Sequence, residues 1–161
     1  MPEQTSTLPS SPLQAAVEAS FTLRGWRYEV ATARGEWITS TTVQGPGGPA
    51  LLEVTVRPEA RRIVLRVDLG LRCRPETRAE TALFLGYLAL WLDLTVFALG
   101  PTTGDLYLRL GLSEGLGARL SAESVDRALG HLAECHGRFA PLVARVCRGE
   151  LTAAEARRHL R

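Results

Sequence analysis

The chain has 161 residues, 45% of them hydrophobic, enough for one compact domain whose core needs neither disulfide nor metal support. Nineteen basic residues against seventeen acidic ones leave a net charge of +2, too small to steer the whole molecule toward nucleic acid or an anionic bilayer. Every cation is an Arg, and Lys and Asn are absent. That excludes phosphate-loop lysines, Schiff bases to pyridoxal phosphate and lysine general bases.

Residues 1–11 lack the basic and apolar regions of a secretory signal, so a disordered tail is expected there, with a single domain over 12–161 and a cytoplasmic location. Ser11 followed by Pro12 starts a helix over about 12–24, with Leu13, Ala16, Val17 and Phe21 on one face and Gly25 as its stop. WRYEVATARGEWITSTTVQ reads as two strands around Arg34-Gly35 in an open register, and GPGGP (45–49) as a loop.

LLEVTVRPEARRIVLRVDLG supplies two alternating runs joined by Pro58 to Arg61. Setting Arg57 opposite Arg62 pairs Val56 with Ile63, Val54 with Leu65, Leu52 with Val67 and Glu53 with Arg66, which puts every apolar partner on one face. Arg74-Pro75-Glu76 opens a helix expected to run to about Leu92. Thr95, Phe97 and Leu99, then GPTTGD, then Leu106, Leu108 and Leu110 form a hairpin. This change of period argues against one membrane-spanning helix through TALFLGYLALWLDLTVFAL, which would bury Asp93 and strand the return strand. Beyond it, Ser121 caps a helix bearing Val125 to Cys135, Phe139 to Arg148 gives another, and Thr152 with Glu155 is a capping box for a last short one.

No motif identifies a reaction or a ligand, and no cofactor or metal is expected. GLSEG matches the nucleophile-elbow pattern around Ser113, but a Gly-rich loop follows where an elbow needs a helix. His131 and Cys135 stand four apart on one helix, a spacing that suits a metal or a nucleophile and base, yet Cys135 lies on the apolar stripe and only His136 joins them. A small hydrolase or metal site on Ser113 or on His131 and Cys135 is therefore the lesser reading. So is nucleic-acid binding through Arg62, Arg66 and Arg72 on one strand face, since Glu53, Glu59, Asp68 and Glu76 dilute the charge and no recognition helix accompanies it. Those three arginines, with Trp37 of the first hairpin, instead mark a candidate surface for a protein partner. Cys73, Cys135 and Cys147 show no CxxC spacing and suggest neither a disulfide framework nor a zinc site.

From Thr81 to Leu92 the helix has no charged face. Leu83, Phe84, Tyr87, Leu88 and Trp91 form one stripe, while Leu85, Leu90 and Leu92 point elsewhere. One sheet covers one stripe, so a second cover is required. Small residues admit a close backbone, and the same helix of a second subunit is expected across Ala82, Leu85, Gly86, Ala89 and Leu90, making a homodimer; the alternative is cover by the terminal helices of the same chain.

The run RPETRAETALFLGYLALWLDLTVFAL, then TGDLYLRLGL, LSAESVDRALGHL and APLVARVCRGELTAAEA, resembles the YbjN-domain family of bacterial sensory transduction regulators over residues 12 to 157. The resemblance implies an α+β fold similar to type III secretion chaperones, with an antiparallel sheet of two or three hairpins packed with helices. It also implies a cytoplasmic, non-enzymatic, regulatory or chaperone-like protein that holds extended segments of other proteins. Gly86 and Ala89 stand where that family often shows a leucine-asparagine pattern, so no site residue is carried across.

Overall fold

The computed structural model describes residues 11–33, 36–45, 48–115 and 119–160, so most of the expected tail, the Arg34-Gly35 turn and the centre of the GPGGP loop lie outside the described residues. The elements run α1 (Pro12–Leu23), β1 (Glu29–Ala33), β2 (Glu36–Gly45), β3 (Gly48–Arg57), β4 (Arg62–Arg72), a 3₁₀ turn (Pro75–Thr77), α2 (Arg78–Ala89), β5 (Thr95–Leu99), β6 (Asp105–Ser113), α3 (Ala122–Cys147) and α4 (Ala153–Arg157). This is an α+β fold: one antiparallel sheet in the order β1-β2-β3-β4-β6-β5, built from three hairpins.

Local chemistry sets the helix starts. The Ser11 hydroxyl accepts the Gln14 N–H at 3.2 Å while the Gln14 side chain accepts the Ser11 N–H, and Thr152 and Glu155 repeat the arrangement at α4. The β3–β4 register pairs Arg57 with Arg62 and Leu52 with Val67, as the alternating pattern requires. The third hairpin pairs Thr95 with Leu110, Phe97 with Leu108 and Leu99 with Leu106. Gly45 and Gly48 belong to the ends of β2 and β3, so the strands reach further into GPGGP than a loop over 45–49 allows.

One face of the sheet carries the core. Leu52, Val54, Val56, Ile63, Leu65, Val67, Phe97, Leu106, Leu108 and Leu110 are all at most 5% exposed and join a single cluster with Val17 and Phe21 of α1, Phe84 and Leu88 of α2, and Val125, Leu132, Val143 and Val146 of α3. The helices therefore all sit on that face, and the alternate positions of the strands form a face without a helix.

Two helix expectations need correction. The last third holds one helix of 26 residues where two were expected, because its apolar stripe continues through Pro141, and that burial outweighs the one helical bond proline removes. Helix α2 stops at Ala89, short of Leu92, as the Leu90 and Trp91 N–H groups turn back to the Tyr87 and Leu88 carbonyls. Among the described residues no helix is long and apolar enough to cross a membrane.

Candidate functional site

A helix with apolar residues on every side has no pattern to set its phase, so packing decides which side faces in. In α2 the inward residues are Thr81, Phe84, Leu85 and Leu88, spaced by three, one and three. Leu85 is only 8% exposed and packs into the core of its own chain, which removes it from the surface expected to meet a second subunit. Leu83 and Trp91, expected in the inward stripe, face out instead at 48% and 58% exposure.

The remaining positions of α2 face outward. Ala82, Leu83, Gly86, Ala89 and Leu90 are exposed, Leu90 at 83%, and a Cβ placed on Gly86 would meet nothing within 4 Å. Leu94, in the connection to the edge strand β5, is also exposed, while Val96 of that strand points to the helix-free face beside Arg109. Helix α4 flanks α2: Glu80 accepts the Ala153 N–H at 2.7 Å, and the Arg157 guanidinium lies 4.9 Å above the Tyr87 ring. Between the two helices Tyr87, Leu90, Trp91, Ala154, Arg157 and Arg158 line a cavity of about 400 Å³.

The helix-free sheet face presents Arg62, Arg66 and Arg72 together, as their shared parity on β4 and the shift of register at Gly70 require. Most of the charge in this region is internally answered. Arg72 pairs with Asp105 at 2.8 Å, Arg57 with Glu36 at 2.7 Å and Arg61 with Glu114 at 3.2 Å, while Arg66 stacks 4.5 Å above Tyr107. The Arg72 hydrogen bond holds the Asp105 carboxyl below its ordinary range. Arg62 lies over Gly111, where a Cβ would come within 2.8 Å of its guanidinium. Trp37 does not belong to this face: β2 pairs it with Val56 on the inner side and leaves it 9% exposed, which corrects its place among partner-binding residues. At the far edge, all five residues of β1 are exposed, with neither Lys nor Pro to block an added strand.

The residues considered for catalysis stay apart. Ser113 ends β6, exposed and opposite Arg62, and among the described residues no histidine bonds its hydroxyl. Asp126 is engaged with Arg24 at 2.6 Å. The His131 Nε2 lies 3.6 Å from the Cys135 sulfur, which is buried and also 3.4 Å from the Thr95 hydroxyl. His136 is buried, and desolvation pushes its pKa down. Among the described residues no group of three or more His, Cys, Asp or Glu is placed to hold a metal.

One contact had no signal in the spacing of the chain: the sulfurs of Cys73 and Cys147, at the ends of β4 and α3, lie 3.0 Å apart. No family model matches the chain, and no curated protein or solved structure matches it either.

Proposed function

We propose that the chain is a non-enzymatic protein-binding module that works as a homodimer, with α2 of a second copy lying on the outward side of α2. The helix-free face or the β1 edge of the sheet then holds an extended segment of a protein partner. The observation that carries the reading is the exposure of Leu83 beside Ala82, Gly86 and Ala89, with Leu90 and Trp91 in the turn that ends the helix, on an element whose other side is already buried in its own core. Apolar side chains around a small-residue strip let two helices approach to about 8 Å, and a twofold axis at Gly86 makes one surface serve both copies. The resemblance to the YbjN-domain family supports the same role, regulatory or chaperone-like.

Light scattering at micromolar concentration tests it. The expected mass is twice the 17.5 kDa of the chain. Gly86→Arg, at a position with open space for a side chain, is expected to give the single-chain mass with an unchanged circular dichroism spectrum. A wild-type monomer overturns the proposal.

A further inference from the structure

Helix α3 ends at Cys147, and β4 leads into Cys73 immediately before the 3₁₀ turn that opens α2. The chain separates these cysteines by 74 positions, yet their sulfurs are 3.0 Å apart, at 1% and 3% exposure. A disulfide bond is about 2.05 Å long, so about 1 Å of approach separates this thiol pair from a covalent bond. Both residues are anchored. The Cys73 N–H donates to the Gly104 carbonyl at 2.8 Å, the Thr77 hydroxyl donates to the Cys147 carbonyl at 2.8 Å, and the Thr81 hydroxyl lies 3.4 Å from the Cys73 sulfur. The third cysteine is no competitor: Cys135 stands about 18 Å back along the axis of α3, where its sulfur contacts Thr95 and His131.

We propose that Cys73 and Cys147 are a disulfide site, joined when the protein meets hydrogen peroxide, and that the bond fastens the end of α3 to the start of α2. Cys147 acts first, because it closes α3 and the residues after it, Arg148 to Glu150, are exposed, so fraying of the last turn opens a path to its sulfur. Its thiolate attacks one peroxide oxygen, breaking the O–O bond to give a sulfenic acid and hydroxide. The Cys73 thiolate then displaces hydroxide from that sulfur, forming the S–S bond. Two thiols lose two electrons and two protons, and the peroxide leaves as two waters. Burial and the Cys73 sulfur beside it push the Cys147 thiol up to about 12, so the thiolate forms on opening and the reaction is slow at neutral pH and faster in base.

The test uses the full chain, reduced and then treated with hydrogen peroxide, followed by thiol counting in denaturant, peptide mapping without reductant and thermal melting. The count is expected to fall from three thiols to one, with a Cys73–Cys147 cross-linked peptide and Cys135 still free. Tying the unfolded chain into so long a loop raises the melting temperature by about 10 °C, reversed by reductant. The Cys135→Ala variant is expected to form the same bond. Three surviving thiols, a bridge through Cys135, a bridge between two chains, thiol loss without any bridge, or a bridge that leaves the melting temperature unmoved each overturn the proposal. None of these outcomes depends on whether α2 dimerises.

Discussion

Replacing Gly104 by Ala tests how tightly the β5–β6 turn is pressed against the start of α2. Gly104 adopts φ +77°, its N–H donates to the Gly100 carbonyl at 2.9 Å, and its carbonyl accepts the Cys73 N–H at 2.8 Å. A Cβ there would stand 2.5 Å from the Cys73 carbonyl oxygen, a backbone atom that cannot withdraw without pulling on the same residue's hydrogen bond to Gly104. The left-handed backbone costs an alanine about 1 kcal/mol and the overlap about 2 more, for a loss of about 3 kcal/mol. At this chain length that lowers the melting temperature by about 6–12 °C. Gly70 is the matched control: at φ +62° it carries the same backbone demand, but a Cβ would meet nothing within 4 Å. Gly70→Ala is therefore expected to cost about 1 kcal/mol, or about 2–4 °C. Calorimetry of both variants at neutral pH with reductant present makes the comparison. Equal losses would refute the close approach at Gly104.

Phe84 is 0% exposed at the centre of the inward stripe of α2, so Phe84→Ala is expected to cost about 3–5 kcal/mol in denaturant unfolding. A loss under about 1 kcal/mol would mean that α2 is not docked as described. Burial lowers the pKa of His136 from its ordinary 6.5, so the unfolded chain takes up the proton first; stability is full above that pH and falls as pH drops from it toward the folded-state value. Melting curves between pH 7 and 5 are expected to show this decline in the wild type and a shallower one in His136→Gln, and parallel declines would remove the argument. Ser113→Ala is expected to leave labelling by a serine-hydrolase probe at the same background as the parent, whereas labelling lost with the hydroxyl would establish a nucleophile there.

Alternation made the sheet legible. Val54, Val56, Ile63 and Leu65 could share one face in only one parity, so the β3–β4 hairpin emerged in the register observed, and Thr95 to Leu99 with Leu106 to Leu110 repeated the alternation, which gave the hairpin without its register. Trp37 was not legible, because the Thr- and Ser-rich β2 carries little contrast between its faces; its direction is set by pairing with Val56, a contact made across the sheet. The phase of α2 failed for a related reason. Leu83, Leu85, Leu90 and Trp91 are equally apolar, and only the positions of α3, α4 and β5 determine that Leu85 turns in while the others stay out. The two helices expected through Cys135 and from Phe139 are one, because the stripe from Val125 to Val146 holds a helical period across Gly137 and Pro141. Cys73 and Cys147 meet through the tertiary fold alone, which no local spacing records.

The central claim, that the outward side of α2 is covered by α2 of a second copy, is tested most directly by a single cysteine on that side. Gly86→Cys places a thiol where the two helices are proposed to cross, and Thr42→Cys places one on the exposed sheet face as a control. Under mild oxidation the account predicts that Gly86→Cys gives a covalent dimer on a non-reducing gel while Thr42→Cys stays a single chain. Failure of the Gly86→Cys chains to join, or equal joining of both variants, would contradict it.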